Sequence, residues 1–89
     1  MHEFHLIHDL MKKIQAIAHE NRATKVTGVR VQLGALSHIS AGHFREHFDE
    51  AAVGTPAEGA NLIIDVSSDE NDPQAQDILL LSVDVEETA

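Results

Sequence analysis

Apolar and polar positions recur along this chain with two different periods, and the changes of period mark out five elements. From Glu3 to Asn21, Phe4, Ile7, Met11, Ile14 and Ala18 return every three or four residues, and Leu6, Leu10 and Ile17 widen the stripe. That is the spacing of one face of an amphipathic helix. His5, His8, Asp9, Lys12 and His19 fall on the polar side, with Gln15 at its edge. Asn21 to Thr24 reads as a turn. From Lys25 to Leu33 the period drops to two: Val29, Val31 and Leu33 point one way, Arg30 and Gln32 the other, and Gly34 ends the strand. A second helix is expected after Ser40, whose hydroxyl can cap a free amide of the first turn. Ile39 and Phe44 have the spacing of a hydrophobic staple. Phe44, Phe48 and Ala51 or Ala52 form its buried stripe, and Gly54 and Pro56 stop it. Asn61 to Val66 is a second strand, with Leu62, Ile64 and Val66 on one face. Ser67 to Gln76 is polar and turn-forming, and is expected to be a mobile loop. Asp77 to Val85 is a third strand, with Leu79, Leu81, Val83 and Val85 on one face and Ile78, Leu80, Ser82 and Asp84 on the other.

The order helix, strand, helix, strand, strand predicts an α+β fold. It is a two-layer sandwich with two helices on one face of a three-stranded mixed sheet. Strands one and two are compatible with parallel pairing through helix two. Strand three is expected antiparallel to strand two or flanking strand one. Ile63, Ile78 and Leu80 are then expected on the uncovered face, either as a modest contact patch or as scattered surface apolars. A monomer or weak homodimer fits both.

Composition narrows the function classes. At 89 residues the chain is expected to be a single domain, residues 1–89. It has no cysteine, hence no disulfide, thiolate nucleophile or zinc ribbon. No apolar run reaches membrane-spanning length, and acids and histidines interrupt what would be a signal peptide's apolar stretch; a cytoplasmic protein is expected. The formal charge of -9 is lopsided: residues 58–89 hold nine acids and no Lys or Arg, while residues 1–57 hold six of each sign. With no basic stripe, nucleic acid is excluded as a natural partner. The acidic end serves solubility or meets a basic protein surface.

The chemistry concentrates at the start, where Met1-His2-Glu3-Phe4-His5-Leu6-Ile7-His8-Asp9 carries three histidines and two acids. The amine of Met1, the backbone nitrogen of His2 and its ring nitrogen can wrap one metal ion in two adjacent chelate rings. Nickel and copper accept such a tetragonal nitrogen set. The amide must lose its proton to bind, so affinity should rise with pH. Glu3 is the nearest fourth donor, and His5 or His38 can also supply it. Residue types alone equally allow an exposed start that happens to carry histidine. Asp9 lies one turn from His5 and can orient its ring.

A second cluster, His43-Phe44-Arg45-Glu46-His47, fits the H-x-x-E-H pattern of some zinc peptidases. Its histidines are one turn apart and can hold one ion, with Glu46 as a formal base. A third ligand helix is lacking, and Phe44 and Phe48 commit the helix to packing. No peptidase is expected, and no enzyme of any class, since no serine or cysteine stands in a triad or elbow context.

Taken together, several blocks resemble the HypA family of nickel-insertion accessory proteins for nickel-iron hydrogenase and, in some cases, urease. Met1-His2-Glu3 is similar to the family's nickel-binding start. Leu33-Gly34-Ala35-Leu36-Ser37 is similar to its Gly-Glu-Leu-Ser loop. Phe44 and Phe48 fall where its second helix carries apolar anchors. Gly54-Thr55, Ala57-Glu58-Gly59-Ala60 and Leu81-Ser82-Val83-Asp84-Val85-Glu86 resemble later blocks in the same order. The resemblance implies a metallochaperone that binds nickel transiently at Met1 and His2, with Glu3 supporting, and passes it onward. It implies a nucleotide-hydrolysing nickel accessory protein as partner, and the hydrogenase large subunit or its maturation complex as client. Glu3, His5, His8 and Asp9 are the expected docking residues. Three departures stand out. The family's four-cysteine zinc ribbon is replaced by residues 67–76, so no structural zinc is expected. Its loop glutamate is Ala35. A common acidic residue before helix two is Ser40, for which His38 is the candidate substitute. A module of the same fold that binds partners but has lost or altered nickel delivery is therefore the alternative.

Overall fold

The computed structural model describes residues 2–87, and the side chains of residues 6–86. Its elements are α1 (His2–Glu20), β1 (Ala23–Leu33), α2 (Ala41–Ala52), β2 (Asn61–Val66) and β3 (Ile78–Glu87). The sheet order is β2-β1-β3, with β1 parallel to β2 and antiparallel to β3. The expected α+β sandwich and its mixed sheet are present, and β3 flanks β1.

One core joins the layers. Ile7, Leu10, Met11, Ile14 and Ala18 of α1 meet Phe44, Phe48 and Ala52 of α2 over Val26, Val29, Val31 and Leu33 of β1 and Leu62 of β2. All are aliphatic, phenylalanine or methionine, and no polar side chain is buried among the described residues. Leu6, which the helical spacing placed in the stripe, is at its exposed margin, and Ala52 rather than Ala51 faces inward.

The turn between α1 and β1 is shorter than expected. Ala23 and Thr24 already belong to the strand, so Asn21 and Arg22 alone reverse the chain. Arg22 adopts a positive φ of 54°, and Asn21 donates its backbone N–H and its Nδ2 to the Ile17 carbonyl at 3.1 and 2.7 Å. Those bonds occupy a carbonyl that the helix end leaves without an internal partner.

The faces of β3 differ from the simple alternation. Arg30 pairs with Ser82 but Val31 with Leu80, leaving Leu81 as an extra residue in the ladder. Such a bulge shifts the side-chain alternation by one. Ile78 and Leu80 therefore pack on the core together with Val83 and Val85, while Leu81 is 46% exposed. The expectation that Ile78 and Leu80 lie on the uncovered face is thus corrected; Ile63 does lie exposed. A second bulge at Thr27, between the Val26–Val85 and Gly28–Asp84 pairs, lets both Val26 and Val29 face inward.

Helix α2 starts as its sequence suggests. Ser40 has an extended φ and ψ of -77° and 157°, and its Oγ accepts the His43 N–H at 3.1 Å. Ile39 packs against the core beside the cap. At the other end, Gly54 takes a φ of +81°. Ser40→Ala should cost about 1 kcal/mol, the usual loss for such a cap. Urea unfolding measures this, and an unchanged midpoint would show that the cap bond adds nothing.

Residues 67–77 are more tightly held than a mobile loop. Ser67, Asp69 and Asp72 side chains each accept a backbone N–H two residues on. Ala75 is buried, its carbonyl accepts the Leu36 N–H at 2.7 Å, and the Asp77 carbonyl accepts the Gly34 N–H at 3.0 Å. The segment is thereby fastened to the Gly34–Ser40 loop.

Candidate metal site

Topology brings the start of α1 and the loop carrying His38 to one end of the domain. The two-residue turn at Asn21–Arg22 sends β1 back along α1, so the start of α1 and the end of β1 lie together. The loop of residues 34–40 leaves from that end, and His38 is in it. Parallel pairing of β1 and β2 requires α2 to cross back over the sheet, so α2 also starts there.

His2 and Glu3 open α1, and His5 lies in its first turns. Met1, and the side chains of His2, Glu3 and His5, lie outside the described residues. His38 is exposed and has a φ of 60°, unusual for a residue with a side chain. Its loop is closed by the Ser37 N–H donating to the Gly34 carbonyl at 3.0 Å. Ser40 is engaged as the α2 cap. His8 and Asp9 are exposed on α1, one turn beyond His5. Among the described residues no group of three or more His, Asp or Glu gathers to hold a metal.

The H-x-x-E-H cluster is resolved in full. The His43 and His47 rings lie 4.4 Å apart, tilted by 36°. Phe44 and Phe48 stack on the buried side of α2, with centroids 6.1 Å apart, and His47 is half-buried beside them. Glu46 is exposed. The groove between α1 and β3 is lined by Lys13, Ala16, Ile17 and residues 78–81, and includes none of these three residues. Among the described residues, no third His, Asp or Glu gathers with this pair. The four-cysteine site of a zinc ribbon has no donors in this chain. No helix among the described residues is long and apolar enough to cross a membrane.

Two features near the site had no clear sequence signal. Arg45 donates to the Leu62 carbonyl at 2.9 Å, tying α2 to β2. Gly34 packs so closely on the Ala75 backbone that a side chain there has no room. A glycine after a strand signals only an ending; the approach of residues 72–77 is long-range.

The family model described as "Hydrogenase/urease nickel incorporation, metallochaperone, hypA" matches residues 1–71. The hydrogenase maturation factor HybF of Salmonella typhimurium (strain LT2) is 40% identical over 65 residues, covering 73% of this chain and 58% of that protein. The hydrogenase maturation factor HypA of Aquifex aeolicus (strain VF5) is 38% identical over 66 residues, covering 74% of this chain and 57% of that protein. The chain thus spans less than two thirds of the length of these relatives. The solution structure of the Ni metallochaperone HypA from Helicobacter pylori superposes with a TM-score of 0.80 at 17% identity, covering 97% of this chain and 98% of the other, which shows a shared fold. With the family model spanning the chain start, both helices and the first two strands, this chain belongs to the HypA family of hydrogenase and urease nickel-incorporation metallochaperones.

Proposed function

We propose that this chain carries nickel as cargo in the maturation of a nickel-iron hydrogenase. It binds the ion through the Met1 amine and through His2, with Glu3 and His38 as further donors, and releases it to a partner. The observation that carries this is that α1 begins at His2 and Glu3, inside the region the family model matches. The first amides of a helix have no internal acceptor. The His2 nitrogen can therefore give up its proton to a metal without breaking a helix bond. The positive end of the helix dipole repels a bare cation but favours the deprotonated amide, so the amidate must accompany the metal.

Glu3, His5, His8 and Asp9 form the docking edge in this account; His8 and Asp9 are exposed as that requires. The partners are a nucleotide-hydrolysing nickel accessory protein and the hydrogenase large subunit or its maturation complex, in the cytoplasm. The protein acts by holding and transferring an ion, without catalysis, and as a monomer or weak homodimer. Neither nucleic acid nor a membrane is a partner. With no cysteine, it works without structural zinc.

A second reading rests on Ala35 and on the engagement of Ser40 as a cap: a module of the same fold that binds the partners but has lost or altered nickel delivery. Nickel loading of the hydrogenase separates the two. In cells whose own family members are deleted, this chain should restore loading and its His2→Ala (H2A) form should not. Equal restoration by both forms favours the module.

A further inference from the structure

We infer that His43 and His47 form a second metal site on α2, separate from the chain start, that takes one divalent transition-metal ion of the nickel, copper or zinc type through two imidazole nitrogens. Histidines four apart share one face of a helix and are a known bidentate pair for such ions. Here the rings are already together, with centroids 4.4 Å apart and planes 36° from parallel. Two metal–nitrogen bonds of about 2.0–2.1 Å place their donor atoms roughly 3 Å apart. Rotation of the exposed His43 ring can bring one of its nitrogens to that distance from His47 without moving the helix backbone.

The backbone beneath the pair is held in place. The His43 N–H is bonded to the Ser40 cap at 3.1 Å. One face of α2 is locked by Phe44 and Phe48, which are 0% and 1% exposed. Little ordering remains to be done when an ion arrives. The charge around the pair is also favourable. Glu46, Asp49 and Glu50 are exposed on the same helix, and its one cationic side chain, Arg45, is bonded to the Leu62 carbonyl. Imidazole selects borderline transition metals over magnesium or calcium, which prefer oxygen. No third His, Asp or Glu converges with the pair among the described residues. Water or a donor from a partner therefore completes the coordination, and the ion stays exchangeable. Because α2 starts at the same end of the domain as α1, a partner covering the chain start also reaches this pair.

The test uses the full chain carrying H2A and extra residues before Met1, so that the chain-start site is disabled. Nickel chloride and, separately, zinc chloride are titrated while the imidazole nitrogen resonances and the thermal unfolding midpoint are followed. The expected result is one saturable ion for at least one metal, with shifts or broadening confined to His43 and His47, and a raised midpoint. His47→Ala should weaken it roughly tenfold or more. His43→Gln, at an exposed position and therefore harmless to the fold, should do the same, while Glu46→Gln should retain the site. Effects spread evenly over His8, His19 and His38, or binding unchanged in His43→Gln, would overturn the inference. Comparing the unaltered chain with H2A reports on the chain-start site independently.

Discussion

Phe44→Ala should leave the domain mostly unfolded or barely folded at 37 °C. Phe44 is fully buried, lies between α1 and the sheet, and stacks on Phe48 at 6.1 Å. Truncating such a side chain removes its transfer free energy and leaves a cavity, typically about 3–5 kcal/mol in all. An ordinary domain has only about 5–15 kcal/mol in total, and a chain of 89 residues belongs near the lower end of that range. The core has few large groups to compensate, since the sequence contains only three aromatic residues, all phenylalanine. Urea unfolding followed by far-UV circular dichroism gives the loss directly. Leu should be tolerated far better than Ala at this position, because it keeps most of the volume. Equal stability of Phe44→Ala and the parent would mean that α2 does not pack as described.

Gly34→Ala is expected to destabilise the domain as well, by a smaller amount and for the opposite reason. A methyl group at Gly34 runs into the Ala75 backbone carbonyl and comes within 2.9 Å of the Gln74 carbonyl. These are backbone atoms fixed by the Leu36–Ala75 and Gly34–Asp77 hydrogen bonds. They cannot swing aside as the end of a long side chain would. Overpacking of this kind costs about 1–3 kcal/mol, and each kcal/mol moves the midpoint of a small domain by roughly 4–8 °C. A drop of about 4–24 °C is therefore expected. The lost stability should be accompanied by faster amide exchange at Leu36 and Gly34, whose bonds hold residues 67–77 to the metal-end loop. A midpoint within about 2 °C of the parent would contradict the close approach.

Much of this architecture was legible in the residues because its signals are local. The period of α1, the Ser40 cap with its Ile39–Phe44 staple, the Gly54 stop and the bounds of β2 all depend on neighbours within one or two turns. What was not legible depends on pairing between distant segments. The Leu81 bulge is invisible in an alternating run of Ile78 to Val85, yet it turns Ile78 and Leu80 from the outer face to the core. The clamp of Ala75 on Gly34 likewise joins segments some forty positions apart. For the candidate site, the sequence suggests Met1-His2-Glu3 as a chelating start, and its test is the titration below. That its helix starts at the same end as the His38 loop became clear only from the strand order and the two-residue turn. The role of Ser40 as a cap was legible in the sequence, and its Oγ accepts the His43 N–H.

The outer face of the sheet carries less than its composition suggested. Ile63 and Leu81 are exposed there, and Arg30 pairs with Asp65 at 2.8 Å across it. The bulge thus exchanges Ile78 and Leu80 for Leu81 among the residues exposed on that face.

The most direct test of the central claim is a nickel titration of three proteins: the chain with a free Met1 amine, its H2A form, and a form with additional residues before Met1. The account predicts a one-to-one site of micromolar or better affinity in the first. That site should strengthen as pH rises and be lost in both altered forms, leaving only the weaker ion held by His43 and His47. The same affinity in all three would contradict it, and would show that neither the amine nor His2 holds the nickel.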